Sequence, residues 1–535
     1  MPAHMPARTR RSRQLDESPS NYVRRRPEET VLYQIVAQQL ETFLARAEQR
    51  DRLVPRFVVR ELRGFLDCGI LARGFLRVHC DACGRDRLVA FSCKGRGVCP
   101  SCGGRRMADT AAHLVDRVLP RAPVRQWVLT VPFALRFRMA YDAGLAAAVL
   151  QLFVRAVFAS LRRRARARWA ISDPLCGAVT FVQRFGDALN LNVHFHLLAL
   201  DGVYDPGDPQ SPRFRPLPPP DDDEVAGVCA RIVRRLARLL ERRGLADAED
   251  VDPLYEDQPL LAGLYGASVR GRIATGGRAG RRVTRLGDRI DAEDLGEIAS
   301  PRCASVAGVS LHANVGVPAG DRLRLERLCR YVARSPLASE RLSRLADGRL
   351  LYRLKNRWRD GSTHVLFEPQ ELLEKLVALV PPPRFNLVRY HGVFAPRSAW
   401  RAAIVPARST SRGSVEACDH GTERPAPAGA AEERPESAPG AKPARRHPAV
   451  PPLRLSRYYT WAELMRRVFA LDVLECAHCH ARLRILAAIH PPQTTRVILE
   501  HLGLPARAPP VAAATTDEQF PSDDVSPECA DVFDS

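Results

Sequence analysis

Residues 190–204 read NLNVHFHLLALDGVY. The run has the composition of a buried strand, and side chains alternate faces along a strand. His194 and His196 therefore share one side, and Val193, Phe195 and Leu197 share the other. The apolar side has a core to join. The polar side needs another reason, because Asn190 and Asn192 extend it upstream. A lone histidine there would be an ordinary hydrogen-bonded, half-buried residue. Two imidazoles at i, i+2 spacing can both reach one metal ion, and imidazole is the commonest protein metal ligand. GAVTFVQRF (177–185) precedes this run, and Gly186-Asp187 between them reads as a tight hairpin turn joining two antiparallel strands. With a two-residue turn, Gln183 pairs with Asn190 and lies four residues from His194, too far at about 3.3 Å per residue to share an ion.

Outward from this hairpin, the chain has 535 residues, 45% of them hydrophobic, enough for two to four folded units with real cores. No run of about twenty apolar residues suggests a membrane span, and no apolar stretch follows the basic N-terminal residues, so a cytoplasmic protein is expected. The net charge of +21 points to a polyanionic partner. Arginine supplies most of it. The clusters are RRRARAR (162–168), which also suits a solvated helix face, and GGRAGRRVTRLGDR (276–289), which resembles a flexible basic loop carrying Arg278, Arg281 and Arg282.

Fourteen cysteines without an export signal argue against a disulfide framework. CDACGRDRLVAFSCKGRGVCPSC (80–102) contains two C-x-x-C pairs separated by fifteen residues. That spacing predicts one structural Zn2+ held by Cys80, Cys83, Cys99 and Cys102, with Gly84 and Gly103 as turn residues and His79 or Cys93 as spare ligands. A third pair, Cys476 and Cys479, is half a site. His478, His480 or His490 could complete it, or the turn could hold no metal.

The chain divides by composition into a polar, disordered segment (1–28), a helical zinc-binding domain (29–107), a mixed domain (108–404), a Pro/Ala/Gly/Glu-rich linker (405–452), a small C-terminal region with the third C-x-x-C (453–505) and an acidic disordered tail (506–535). TVLYQIVAQQLETFLAR (30–46) and FVVRELRGFLDC (57–68) have helical spacing. In the mixed domain, RQWVLTV, GAVTFVQRF, the histidine run, GVSLHANVGV, LLYRLK and THVLFE read as strands. A long Ala-rich helix (145–170), an acid-capped amphipathic helix after PLPPPDDDE, DRLRLERLCRYVAR (321–334) and QELLEKLVALV (370–380) read as helices. The expected class is α+β, an antiparallel sheet with flanking helices behind a small zinc-binding domain.

A same-face histidine pair on a sheet strand, basic segments and Tyr331 in a helix after another strand form a combination similar to the HUH endonucleases, with Phe195 as the bulky residue between the histidines. Phosphodiester cleavage by tyrosine needs a nucleophile in line with the phosphate and a divalent ion to offset charge on the non-bridging oxygens. His194 and His196 are expected to hold Mg2+ or Mn2+. His312 on the GVSLHANVGV strand ranks first as third ligand, ahead of Gln183. Leu325, Leu328, Cys329 and Val332 form the helix's apolar stripe, Tyr331 falls to one side of it, and Arg327 and Arg334 are near enough to meet a phosphate.

FSCKGRGVCPSC, VTFVQRFGDALNLNVHFHLLALDGVY, LERLCRYVARSPLASERL, and WRDGSTHVLFEPQELLEKL with VPPPRFNLVRYHGVFAP together resemble the insertion sequence 91 family of rolling-circle transposases. The resemblance runs over residues 30–400 and resumes weakly at 453–500. It implies a bacterial DNA transposase, nucleoid-associated when bound, that nicks and rejoins single-stranded DNA at transposon ends and in target DNA through a 5′-phosphotyrosine at Tyr331, with Asn190 and Asn192 among the DNA contacts. Founding members have two tyrosines four apart. Here position 327 is Arg, as in the common-region relatives with a single tyrosine, so a second transfer needs another protomer, another turnover, or Tyr352 or Tyr390. A plasmid or phage replication initiator shares the same chemistry, and a non-catalytic zinc-dependent DNA-binding protein would need the histidines only structurally.

Overall fold

The computed structural model describes residues 24–207, 211–245, 252–287, 300–406 and 459–515. Most of the linker expected at 405–452, and the greater part of the N-terminal segment expected at 1–28, lie outside the described residues.

Six antiparallel strands form the central sheet, in the order Val388–Gly392, Gly177–Phe185, Leu191–Leu200, Val124–Thr130, Val309–Val317, Cys303–Val306. The histidine strand sits inside it, paired on both sides. Alternation along these strands divides the packing. Phe195, Val193, Leu197, Trp127 and Leu129 enter a core with the helices Phe133–Tyr141, Ala143–Trp169, Asp222–Arg242 and Pro259–Val269. Val124, Leu198, Leu200, Val179 and Phe181 enter a second core, against the helices Pro100–Arg117 and Arg322–Val332. His194 and His196 belong by alternation to that second face.

The helix Ala143–Trp169 is long and apolar enough to cross a membrane, but Leu145, Val149, Leu150, Phe153, Val157 and Leu161 are buried inside the protein. It is capped by the Asp142 carboxylate, which accepts from Leu145 N–H at 2.8 Å. Just past the end of the histidine strand, Asp201 makes a two-point ion pair with Arg125 (3.0 and 2.8 Å), which also donates to the Ala313 carbonyl at 2.8 Å, linking that end to the strands Val124–Thr130 and Val309–Val317.

A second antiparallel sheet has the order Leu342–Arg344, Leu350–Arg353, Ser362–Phe367, Thr284–Gly287. Residues 276–287 of the Gly/Arg segment lead into and form this last strand and make an ordered turn, not a free loop. Arg272 and Arg282 are bridged, Arg278 donates to Thr284 Oγ1 at 2.8 Å and pairs with Glu371 at 3.2 Å. The helix Pro369–Leu379 clamps the turn, since the carboxylate of Glu374 accepts from Ala274 N–H and Thr275 Oγ1, and Lys375 donates to the Arg272 carbonyl. Burial raises the Glu374 carboxyl to about 7 and lowers the Lys375 amine to about 8.

The N-terminal unit consists of the helices Val31–Gln49 and Arg56–Asp67, the hairpin Phe75–Cys80/Asp86–Ala90 and the start of helix Pro100–Arg117. Its sheet has a third strand, Leu483–Ile489, which pairs antiparallel with Phe75–Cys80. The C-terminal region is thus part of this unit instead of a separate small one. Residues 506–515, expected in the tail, lie along the first helix, where Ala512 N–H donates to the Ala37 carbonyl at 2.9 Å.

Candidate active site and metal centres

His194 and His196 project from their strand with ring centroids 4.9 Å apart. His194 Nδ1 lies 2.9 Å from the Asn192 carbonyl oxygen, which can only accept, so Nδ1 carries the proton and Nε2 presents a lone pair. The Gln126 side-chain amide stands 2.6 Å from His196 Nδ1. The near atom is Gln126 Nε2, which donates, so Nδ1 accepts; with the amide turned to present its oxygen, Nδ1 would carry the proton and free the lone pair of His196 Nε2, a buried atom with no partner among the described residues. Burial is the first cause holding both imidazoles neutral. It lowers His194 to about 4, with Arg334 and Arg136 adding to the effect, and it lowers His196 well below the ordinary value, helped by His194 and Arg334. Neutral imidazoles are the form that ligates a cation.

The helix Arg322–Val332 starts at Asp321, whose carboxylate accepts from Arg324 N–H at 3.0 Å. Leu325, Leu328, Cys329 and Val332 are buried against the sheet, and this orientation leaves Tyr331 38% exposed at the edge of the helix. The Tyr331 ring stands perpendicular to His196, with centroids 6.1 Å apart. Two cations flank it: Lys355 Nζ is 4.1 Å and the Arg334 guanidinium carbon 4.8 Å from the ring centre. Lys355 is held there by the hairpin turn, where the Asp187 carboxylate accepts from Lys355 N–H at 2.9 Å and pairs with Arg341 at 3.3 Å. Burial lowers the Lys355 amine, and Arg334 lowers it further.

The turn itself is longer than two residues. Gly186 N–H donates to the Asn190 carbonyl, Leu189 takes a left-handed conformation (φ 57°), and a register shift follows. Gln183 is consequently opposite His194 instead of Asn190, on the neighbouring strand and within reach of the same ion. Its Nε2 donates to the Val332 carbonyl at 2.8 Å, pinning the end of the tyrosine helix and leaving Oε1 as its remaining acceptor. His312 is corrected in the opposite direction. It is opposite Val128, which is opposite His196, so two strand spacings, about 9.5 Å, separate the two histidine backbones. His312 Nδ1 instead meets Cys303 Sγ at 2.7 Å. Among the described residues no third His, Cys, Asp or Glu completes a cluster with the pair.

Asn192 is beside His194 with Oδ1 buried and unpartnered, Asn190 closes the turn, and Arg327 is exposed one helical turn before Tyr331. Arg281 and Arg282 are exposed away from this group on the ordered turn, and Arg278 is engaged by Glu371. Tyr352 is fully buried, and Tyr390 is on the edge strand. Lys355 and Gln126 carried no local signal: each reaches the site only through a strand or loop brought in by tertiary packing.

The cysteines form two clusters where the spacing predicted one. Cys99 and Cys102 join Cys68 and Cys93, with Sγ separations of 3.5 Å (Cys99–Cys68), 3.5 Å (Cys93–Cys102) and 3.7 Å (Cys68–Cys102). These match the edge of a tetrahedron with Zn–S of about 2.3 Å. Cys99 caps the helix Pro100–Arg117, so Gly103 sits in its first turn and not in a knuckle. Cys68, at the end of helix Arg56–Asp67, has no paired neighbour in sequence to betray it. Cys80 and Cys83 turn the other way, toward Cys476 and Cys479.

Residues 177–401 match a family model described as "Putative transposase", and residues 35–131 match one described as "Transposase zinc-binding domain", of the insertion sequence 91 type. No curated protein and no solved structure matches the chain. The first match contains the histidine strand and Tyr331, and the second contains all four cysteines of the Cys68 cluster, whose donor set suits Zn2+. The chain belongs to the insertion sequence 91 family of transposases and carries that family's zinc-binding domain at its N-terminal end.

Proposed function

We propose that this transposase nicks and rejoins single-stranded DNA at the element's ends by the HUH mechanism, with Tyr331 as nucleophile, in rolling-circle transposition. The observation that carries the reading is the Tyr331 ring 6.1 Å from His196 between the cations of Lys355 and Arg334. Tyr331 Oη attacks the scissile phosphorus, forming a phosphotyrosine bond as the phenol proton passes to solvent. The bond to the preceding nucleotide's 3′ oxygen breaks, and that oxygen leaves as a hydroxyl after taking up a proton. A 3′-hydroxyl attacking the phosphotyrosine reverses these steps and joins the strand without external energy.

Lys355 and Arg334 offset charge at the phosphate, while Gln183 and the apolar stripe hold the helix at its working distance. Mg2+ or Mn2+ bound by His194 and His196, with Gln183 Oε1 in the role expected of His312, would supply charge neutralisation at the non-bridging oxygens. One tyrosine serves one transfer, so the second falls to another protomer or another turnover. Asn190, Asn192 and Arg327 border the same face and suit the incoming strand.

The test uses labelled single-stranded element ends with Mn2+. Wild type should give a protein–DNA adduct that survives denaturation, and Tyr331→Phe should bind DNA but give none. An adduct on Tyr352 or Tyr390 would move the nucleophile, and cleavage with no adduct would rule out the mechanism.

A further inference from the structure

The second cysteine cluster joins two parts of the chain that are 393 residues apart, and two of its members lie outside both family matches. Cys80 and Cys83 belong to the turn between the strands Phe75–Cys80 and Asp86–Ala90. Cys476 and Cys479 belong to the turn that leads into Leu483–Ile489. The two turns have the same backbone. Cys80 N–H donates to the Arg85 carbonyl and Gly84 N–H to the Cys80 carbonyl, at 2.9 and 2.8 Å. Cys476 N–H donates to the Ala481 carbonyl and His480 N–H to the Cys476 carbonyl, both at 2.9 Å. The residue after each second cysteine is left-handed, Gly84 at φ 71° and His480 at φ 60°. Such a turn aims both of its thiols at one point, and here the two points coincide. Cys80 and Cys479 sulfurs are 3.4 Å apart, Cys83 and Cys476 sulfurs 3.6 Å, and all four lie within 4.8 Å of one another.

We propose that Cys80, Cys83, Cys476 and Cys479 hold a second structural Zn2+, separate from the Cys68 cluster, and that this ion clasps the C-terminal segment onto the N-terminal domain. The surroundings cover the inner side of the site, while Cys479 stays exposed at its rim. Val78 and Leu483 are buried beside Cys80 and Cys476, and the strands on either side are already paired, with Cys80 opposite Leu483. Arg484 pairs with Asp81 at 3.0 Å across the same junction. A tetrahedral set of four thiolates takes zinc or iron, and zinc needs no redox partner. Two disulfides across the junction are the competing chemistry. An ion there closes a loop of nearly four hundred residues, so its binding energy adds directly to docking of the segment.

Elemental analysis of the full chain should find two Zn per chain and negligible iron. The Cys476→Ser/Cys479→Ser variant should keep one, with the far-UV spectrum unchanged. Cys479→His, which restores a ligand, should bring the second ion back. In wild type cut at a protease site introduced within 407–458, the C-terminal piece should stay bound to the rest and dissociate on addition of a strong chelator. One Zn in wild type that persists in the double variant overturns the proposal, as do two disulfides in the thiol count or a C-terminal piece that chelation does not release. Should the double variant lose both ions, the cut wild type and the Cys479→His chain decide.

Discussion

Burial keeps His194 and His196 neutral, and that neutrality ties stability to pH. Their folded-state values lie below the unfolded value of about 6.5. Between these limits the unfolded chain binds protons that the native chain refuses, so stability is complete above about pH 6.5 and falls as the pH drops toward 4. Urea midpoints for wild type and His194→Asn/His196→Asn should diverge at pH 7 and converge by pH 4.5, the double variant showing the flatter profile. Lys355 has a different role. Lys355→Met should lower the nicking rate about 10–100-fold, as expected for loss of one preorganised charge, while the adduct still forms on Tyr331; a rate within twofold of wild type would remove Lys355 from the site. The histidine pair was legible because both residues sit on one strand with period 2. The partners were not. Gln183 was misplaced by a turn three residues longer than Gly-Asp implies, and Lys355 arrives from a different sheet.

The tyrosine helix shows how an element is positioned by groups far from it in sequence. Asp321 caps its start, the Leu325–Val332 stripe seats it, and Gln183 holds its end. From the C-terminal helix Trp461–Phe469, Arg467 pairs with Glu326 at 2.8 Å and with Asp116 of helix Pro100–Arg117 at 3.1 Å, joining two helices that already pack together. Arg467→Met should destabilise the protein by about 1.5–3 kcal/mol, the range for hydrogen bonds to charged groups, read as a shift in the urea midpoint. If Tyr331 is the nucleophile proposed above, it should lower adduct formation more than DNA binding, because it loosens the tyrosine helix without touching the basic surface. The amphipathic stripes that make these helices were readable from sequence. Which helix faces which was not, since an arginine on an exposed face looks the same whether it meets solvent or two carboxylates. The Gly/Arg segment illustrates the same limit: its composition suggested a loop, but from a distant helix Glu371 engages Arg278, and Glu374 and Lys375 fix the residues just before it.

At the scale of the whole molecule, the α+β class and the antiparallel sheet followed from alternation and turn residues. The domain boundaries did not. Composition separates residues 453–505 from the zinc domain by a long Pro/Ala-rich stretch, yet Leu483–Ile489 completes that domain's sheet, and strand pairing at such range leaves no local trace. The net charge of +21 predicts a DNA affinity that rests on phosphate neutralisation. Affinity for single strands should fall steeply and log-linearly with salt, by more than tenfold between about 50 and 200 mM if several phosphates are contacted, with Tyr331→Phe on the same line; a flat salt response would mean that binding does not rest on phosphate neutralisation. The returning strand also gives the protein a timetable. At about 5–20 residues per second, the 393 residues between Cys83 and Cys476 take roughly 20–80 s to synthesise. For that interval the strand Phe75–Cys80 leaves the ribosome with one edge open and the apolar surface around Phe75, later covered by Leu499, facing water. The first domain to be made is thus the last to be finished, and a chain released before residue 483 should carry a sheet edge without its partner strand.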